Sequence, residues 1–261
     1  MIKFFRKIRQ KLLSENKFSK YLIYAIGEII LVVIGILIAL SINNSNEQSK
    51  ARKQEINYLK KLQADILLEL KNNENMIVFR DNKAKASMKL LDFKVIDNES
   101  NFVELEETIF QVFFWETFIP TNNTYKELLS SGNLNFIKND SIKDHLLELD
   151  KKYVYIDNVE HHIRREFEQY LYDVSITNAD ILNTFDFLKT AEEGEYIFKK
   201  PSQIPINNFI PKYKKLFSDI SFKNGLKLSI INNIALKNYH TELTKHLEKL
   251  NDLITEDLKD N

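Results

Sequence analysis

One apolar stretch, from Tyr21 to Ile42, constrains this chain more than any other feature of its sequence. It is 22 residues long, carries a single formal charge at Glu28 and contains no proline. As an α-helix it would be about 33 Å long, slightly more than the roughly 30 Å hydrocarbon core of a bilayer. Only a helix that satisfies all its backbone groups internally can cross lipid as one segment. The sequence therefore predicts a single transmembrane helix over residues 21–42.

Two other structures are compatible with an apolar stretch near an N-terminus, and the sequence argues against both. A buried helix of a soluble protein normally has a polar stripe, which residues 21–42 lack. A cleaved signal peptide has an apolar region of about 7–15 residues, shorter than this one, although Ala39-Leu40-Ser41 loosely resembles a cleavage site. The stretch is therefore interpreted as an uncleaved anchor.

Basic residues before the span predict its orientation. Residues 1–20 contain seven Lys and Arg and one acid, Glu15, whereas residues 43–49 contain no basic residue. The positive-inside rule places residues 1–20 in the cytoplasm and residues 43–261 in the periplasm, anchored in the cell inner membrane. The basic tail is either an amphipathic helix lying on membrane lipid in the headgroup plane, or simply the charged flank of the anchor.

Composition restricts what the domain after the span can do. Outside residues 1–42 the chain has 30 Lys and Arg against 35 Asp and Glu, and this acidic balance argues against nucleic-acid binding. The chain has no cysteine, which excludes disulfides and thiolate chemistry. Only five glycines and four prolines in 261 residues favour long helices with few tight turns. We therefore expect an all-α domain.

Hydrophobic periodicity predicts a helical bundle with long antiparallel helices. Long helices are expected over residues 47–94, 141–172 and 221–258. Gln63 and Asn73 interrupt the apolar stripe of the first, which suits a bundle helix better than an isolated coiled coil. Its length matches that of residues 221–258, so we expect these two helices to pack antiparallel. Residues 139–141 and Ser221 are the predicted caps of the two later helices, and Gly132 the predicted stop of a short helix over residues 124–130.

An aromatic segment over residues 102–118 is predicted to be a further helix, starting near Asn101 and ending at Ile119-Pro120. Its apolar face is too wide for a surface helix. Two interpretations remain open: the segment is a buried central helix, or its aromatic residues form an exposed docking patch. The residues concerned are Phe110, Phe113, Phe114, Trp115 and Phe118.

Small residues within the span predict association with another helix. Gly27, Gly35 and Ala39 lie on one face, and small residues spaced four apart let a second helix approach closely. Glu28 lies beside this face. Because an acid inside lipid is costly, Glu28 either faces a partner, a pore or water, or is shallow enough to reach the interface. The expected partner is a second copy or another envelope membrane protein.

The histidines of the chain do not indicate a metal or cofactor site. His162 and Glu166 are four residues apart on one helix face, but no third ligand follows at a recognisable spacing, so they are interpreted as a solvated ion pair. His240 and His246 are predicted to lie on the surface. We expect no metal and no cofactor. Residues 173–220, which contain three of the four prolines, are expected to be an irregular excursion around short helices.

The basic tail and the predicted span contain three motifs, LLSENKFSKYL, GEI and VVIGILIAL. Because of this combined pattern, residues 1–47 resemble the N-terminal signature of an uncharacterised one-span membrane protein family that is common in Bacteroidetes-type bacteria. Ser45 stands where members of that family typically have tryptophan, so an interfacial aromatic anchor is missing. Residues 118–140, FIPTNNTYKELLSSGNLNFIKND, also resemble a recurring segment of the family. The resemblance implies a membrane location and a one-span architecture, but no activity.

No catalytic motif is visible: the sequence contains no phosphate loop, serine elbow, zinc-protease helix or EF-hand loop. An enzyme is therefore disfavoured. The expected function is that of a membrane-anchored helical domain that acts as a protein-interaction, scaffold or accessory subunit. The alternative is a ligand-sensing bundle that signals laterally through its single span, although the sequence identifies no small-molecule ligand.

Overall fold

The computed structural model describes residues 18–93, 99–186, 197, 199 and 205–259, and this part of the chain is all-α, as predicted. The α-helices are α1 (Phe18–Leu91), α2 (Glu99–Phe113), α3 (Asn123–Ser130), α4 (Asp140–Phe167), α5 (Asp173–Asn178), α6 (Ile210–Ser218) and α7 (Ile220–Lys259). A π-helical turn, Glu168–Tyr172, joins α4 to α5, and the 3₁₀ turns Asn133–Phe136 and Ile206–Asn208 precede α4 and α6.

The chain divides into two compact units, Met1–Asn57 and Tyr58–Asn261, and α1 contributes residues to both. In the first unit, α1 covers the predicted span without interruption. This helix is long and apolar enough to cross a membrane, and none of the 18 residues in its most apolar window is buried. The predicted tail helix lies mostly outside the described residues, which begin at residue 18.

In the second unit, α1 and α7 pack antiparallel, which confirms the prediction for these two helices. In the polar contacts between them, residues later in α1 contact residues earlier in α7, as antiparallel helices require. Gln63 and Asn73, which interrupt the apolar stripe of α1, both face α7, and such polar pairs fix the register of two apolar helices. The contacts are Gln63 Nε2 to Thr255 Oγ1 (2.9 Å), Asn73 Nδ2 to Thr244 Oγ1 (2.8 Å), Lys237 Nζ to Asp81 Oδ1 (2.7 Å) and Ser87 Oγ to Ser229 Oγ (2.8 Å).

Two apolar clusters form the core of the second unit. The first joins α1, α4 and α7 with α3, and includes Leu62, Ile66, Leu146, Ile156, Leu243 and Leu250. The second lies where α2 and α6 meet the end of α1 and the start of α7, and includes Leu90, Phe102, Leu105, Ile109, Tyr213 and Phe222. Burial of these stripes is the main source of stability, since apolar burial contributes about 25 cal/mol per Å².

The aromatic helix α2 is shorter than predicted. It ends at Phe113, so Phe114, Trp115 and Phe118 lie beyond its end rather than inside a helix reaching residue 118. It begins at Glu99, which places Asn101 within its first turn rather than before it. The sequence from residue 114 to residue 119 is rich in aromatic and β-branched side chains, which favour extended backbone over helix. Contacts described below hold this stretch in its non-helical path.

Two predicted helix boundaries are confirmed. Gly132 follows the end of α3 with a left-handed φ of 69°, a conformation that is strained for residues with a Cβ atom. Asn139 caps α4, because its Oδ1 accepts a hydrogen bond from the backbone N–H of Ile142 at 3.4 Å.

Other boundaries differ from the prediction. Asp219, not Ser221, caps α7, since Asp219 Oδ1 accepts from the N–H groups of Ser221 and Phe222 at 2.7 and 3.1 Å. The helix predicted over residues 47–94 ends at Leu91, and residues 94–98 lie outside the described residues. The predicted irregular region contains α5, a 3₁₀ turn and α6; residues 187–196, 198 and 200–204 are likewise outside the described part.

Candidate functional site

Residues 114–122, which we call the held segment, connect α2 to α3 without forming a helix. Several polar groups in and beside this segment, most of them backbone groups, bind ionisable or amide side chains of α1 and α4. The side chains that α1 supplies recur at intervals of three, four or eight residues, so they share one face of the helix. They are Asp65, Glu69, Asn72, Arg80 and Lys83.

A buried ion pair holds the middle of the held segment. Arg80 and Glu160 are 0% and 2% exposed, and their side chains are in direct contact. Arg80 Nη2 also donates to the backbone oxygen of Glu116 at 3.0 Å, and the N–H of Phe118 donates to Glu160 Oε2 at 3.1 Å. Burial raises the pKa of Glu160, and the Arg80 guanidinium opposes that rise. Both ions therefore depend on each other and on the backbone of the segment.

Lys83 holds the beginning of the segment. Its side chain is buried, and its Nζ donates to the backbone oxygen of Phe114 at 2.7 Å. The ammonium lies 4.6–5.7 Å from the ring centres of Phe79, Trp115 and Phe167, a distance at which aromatic faces attract cations. Burial, together with the nearby Arg80, lowers the pKa of Lys83 well below that of a free lysine.

Two acids of α1 hold the end of the segment. Glu69 Oε2 accepts from the N–H of Thr121 at 2.7 Å, and Asp65 Oδ2 accepts from the N–H of Thr124 at 2.8 Å. Asn122, at the N-cap position of α3, makes no side-chain capping bond, so Asp65 supplies the cap from a different helix. Burial raises the pKa of Glu69, and the bond from Thr121 opposes it.

The opposite side of the held segment faces outward. Among the described residues, the backbone groups of Trp115, Thr117 and Ile119 form no hydrogen bond. Thr117 is exposed, and Ile119 is 79% exposed, the largest fraction among the large apolar residues that the structure describes in the second unit. The segment is therefore fixed on one side and open on the other.

A small cavity lies beside Lys83. Its walls include Trp115, Phe167, Ser229 and Asn233, and its free space of about 10 Å³ suits one water molecule. The Oδ1 of Asn233 is buried and has no hydrogen-bond partner among the described residues.

A π-helical turn forms part of the wall of the cavity beside Lys83. Residues 168–172 bulge from the line of α4 towards Gly225 on α7. A Cβ atom at Gly225 would lie 2.8 Å from Leu171 Cδ2 and 2.9 Å from the backbone oxygen of Tyr170. Only glycine permits this approach without displacement of neighbouring atoms. π-turns are frequent at functional sites, and this one lies beside the same cavity as Lys83.

His240 is buried, which corrects its predicted surface position. Its Nδ1 lies 2.6 Å from Asn73 Oδ1, and its backbone oxygen accepts from Asn73 Nδ2 at 2.7 Å. Because an amide oxygen only accepts, Nδ1 carries the proton in the neutral ring. Burial, with Arg80 nearby, lowers the pKa of His240 to about 4. His246 is half-buried rather than on the surface, and its Nε2 lies 2.8 Å from the backbone oxygen of His145.

Glu106 performs a similar holding role for a second non-helical stretch. It is fully buried in α2, and its Oε1 accepts from the Tyr213 hydroxyl at 2.6 Å and from the N–H of Asn183 at 3.0 Å. Burial raises the pKa of Tyr213, and the neighbouring Glu106 adds to the rise. Again a buried carboxylate binds the backbone of a stretch outside the helices.

The two glycines of the predicted association face border open space in the described part of a single copy. A Cβ atom added at Gly27 or at Gly35 would meet nothing within 4 Å. Ala39 is exposed and Glu28 is half-buried in the first unit. Association through these four residues remains a prediction.

The predicted aromatic residues are distributed between core and surface. Phe118 is buried in the first apolar cluster, Phe110, Phe113 and Trp115 are half-buried, and Phe114 is 37% exposed. The segment is therefore not one uniform face: part of it packs inside and part of it is open to solvent.

The His162 and Glu166 side chains form a contact of 3.2 Å between Nε2 and Oε1, as expected for an ion pair. In the described part of the chain, no group of three or more His, Cys, Asp or Glu side chains is placed to bind a metal.

Sequence reasoning missed the buried charges of α1. A signal was present, because Glu69 and Arg80 share the helix face of Leu62, Ile66 and Met76. An ionisable residue on an apolar face requires a buried partner. The identity of that partner, a segment more than 30 residues away, was not visible in the pattern.

Comparison with known proteins gives one match. A family model described as a family of unknown function (DUF6090) matches residues 28–193, which include most of the predicted span and the whole held segment. No curated protein and no solved structure matches the chain. The match covers more than half of the chain and agrees with the resemblance of its N-terminal motifs to an uncharacterised family. The chain therefore belongs to this family of unknown function.

Proposed function

We propose that this protein is a membrane-anchored helical scaffold or accessory subunit of the bacterial envelope, which acts by binding protein partners. One observation carries the proposal: the held segment is fixed by buried side chains, while Ile119 and Phe114 on it remain exposed. Ordering a loop on binding costs free energy, and a segment that is already fixed avoids that cost.

The apolar stretch of α1 and the basic tail before it support the location that we propose. The stretch would anchor the chain in the inner membrane, with the basic tail in the cytoplasm and the second unit in the periplasm. Alkaline phosphatase fused after Asn261 should then be active. An inactive phosphatase fusion with a fluorescent cytoplasmic reporter at the same position would reverse the orientation.

A non-enzymatic role is part of the proposal. Arg80, Glu160, Lys83 and Glu69 all bind backbone groups, a use that is structural. The ligand-sensing alternative would have to use another part of the described chain, because the cavity beside Lys83 has room for only about one water molecule.

Purification of the full chain in mild detergent, followed by mass spectrometry, tests the proposal. The tagged chain should retain a stoichiometric protein partner, a second copy included. Ile119→Asp should abolish that capture, whereas Ile231→Asp, a change at a 63% exposed position on α7, should not. Equal capture by both variants would remove the held segment from the binding surface.

A further inference from the structure

The outward side of residues 115–119 has the hydrogen-bonding pattern of an edge strand. Groups of Phe114, Glu116 and Phe118 point inward to Lys83, Arg80 and Glu160, as their hydrogen bonds show. Alternate backbone groups of an extended chain point to opposite sides. The intervening residues, Trp115, Thr117 and Ile119, accordingly direct their N–H and C=O groups outward, where no described residue binds them.

The residue types suit a strand. Trp115, Thr117 and Ile119 are aromatic or β-branched, the classes with high β propensity. Natural edge strands are usually protected by lysine, proline or several charges, whereas residues 115–119 carry one charge, at Glu116. Pro120 has no N–H group and limits the open edge to these five residues.

The edge is self-complementary. If two copies align antiparallel about Thr117, Trp115 of each lies opposite Ile119 of the other, and Thr117 lies opposite itself. All three outward residues then fall at hydrogen-bonded positions, giving about six backbone hydrogen bonds. The twofold axis closes the assembly at two copies.

We propose that residues 115–119 pair antiparallel with the same residues of a second copy of this chain, about a twofold axis at Thr117. The inference rests on the proposed function and names its partner. Because both copies would be anchored in one membrane, their effective concentration is high, which favours pairing through a short edge.

A cysteine scan tests this pairing, because the natural chain contains no cysteine. Full-length Thr117→Cys, in membrane vesicles, should form a disulfide-linked dimer on mild oxidation, since residues opposite each other in a ladder lie within disulfide reach. The matched control is Glu116→Cys, an exposed neighbour that would lie opposite residue 118 rather than itself. We expect about tenfold more dimer from Thr117→Cys than from Glu116→Cys.

Circular dichroism melting and maleimide labelling of both variants establish that they are folded and that their thiols are accessible. Equal dimer yields, or no dimer from a folded and labelled Thr117→Cys, would overturn the self-pairing. If in that case Ile119→Asp still abolishes capture of a different protein, the proposed scaffold function stands and its partner is not a second copy. Loss of both results would overturn the two proposals together.

Discussion

Buried ionisable side chains determine the path of backbone that belongs to no helix. Arg80 on α1 and Glu160 on α4 meet in the interior and bind two backbone groups of the held segment. Leaving one partner of such a pair without the other is costly, because the remaining charge stays buried. Substitution of either residue of this pair is therefore expected to destabilise the second unit strongly.

Replacing Arg80 by methionine should destabilise the second unit by about 3–5 kcal/mol, because Glu160 is then buried without its cation. Urea unfolding followed by circular dichroism measures the loss. Adding Glu160→Gln should recover part of it by removing the stranded charge. As a control, Lys85→Met breaks an ion pair whose lysine is 72% exposed, and it should cost less than about 1 kcal/mol. Equal losses from the two single variants would contradict a buried role for Arg80.

His240 should make stability depend on pH. Its pKa is about 4 in the folded chain and about 6.5 when unfolded, so between these values the unfolded chain binds more protons. Its contribution is therefore fully present above pH 6.5 and is lost as the pH falls towards 4, by about 3 kcal/mol in total. Glu69 and Glu160 have raised pKa values and act in the opposite direction.

The contribution of His240 is isolated by comparison with His240→Asn, which keeps a donor towards Asn73 but does not titrate. The difference in unfolding free energy between the natural chain and this variant should change with pH between about 4 and 6.5. A constant difference across that range would mean that His240 does not titrate on unfolding as described.

At the scale of elements, the approach of the π-turn to α7 depends on one glycine. Gly225→Ala would place a Cβ atom against a backbone oxygen and a buried leucine, and overpacking of this kind costs about 1–3 kcal/mol. The thermal midpoint should fall. Asn224→Ala, at an exposed position of the same helix, should be neutral or slightly stabilising. An unchanged thermal unfolding midpoint for Gly225→Ala would show that the π-turn can move away from α7 at little cost.

The elements that sequence predicts well are those fixed by local patterns. The stripe of α7, the left-handed Gly132 and the cap at Asn139 depend on neighbours in the sequence, and all three are confirmed. The predicted end of α2 was wrong. Residues 114–119 fit the apolar spacing of a helix, but their aromatic and β-branched side chains are equally typical of a strand. Contacts from α1, about 30–50 positions away in the chain, decide between them, and periodicity carries no information about such contacts.

At the scale of the whole molecule, the second unit has its own core and its own polar network. Residues 47–261, produced without the span, should be soluble, mostly helical, and unfold in one cooperative transition, since a domain of this size buries enough surface to be stable alone.

Trp115, the only tryptophan of the chain, provides a probe for that experiment. Its ring lies 5.3 Å from that of Phe167 and is half-buried, so its emission should shift to the red on unfolding. Quenchers should reach it partially in the folded fragment and fully in urea. Circular dichroism dominated by strand, or an insoluble fragment, would contradict the described unit.

The regular spacing of the holding residues on α1 has a consequence for how the chain tolerates changes in length. One residue inserted between Glu69 and Arg80 would turn every later side chain by about 100° and advance it by about 1.5 Å. Lys83 and Arg80 would then leave the start and middle of the held segment, while Glu69 and Asp65 still bound its end. The spacing of these side chains along α1 therefore has to match the path of the held segment. Between positions 65 and 83, we expect α1 to tolerate an insertion or a deletion as poorly as a substitution of these residues.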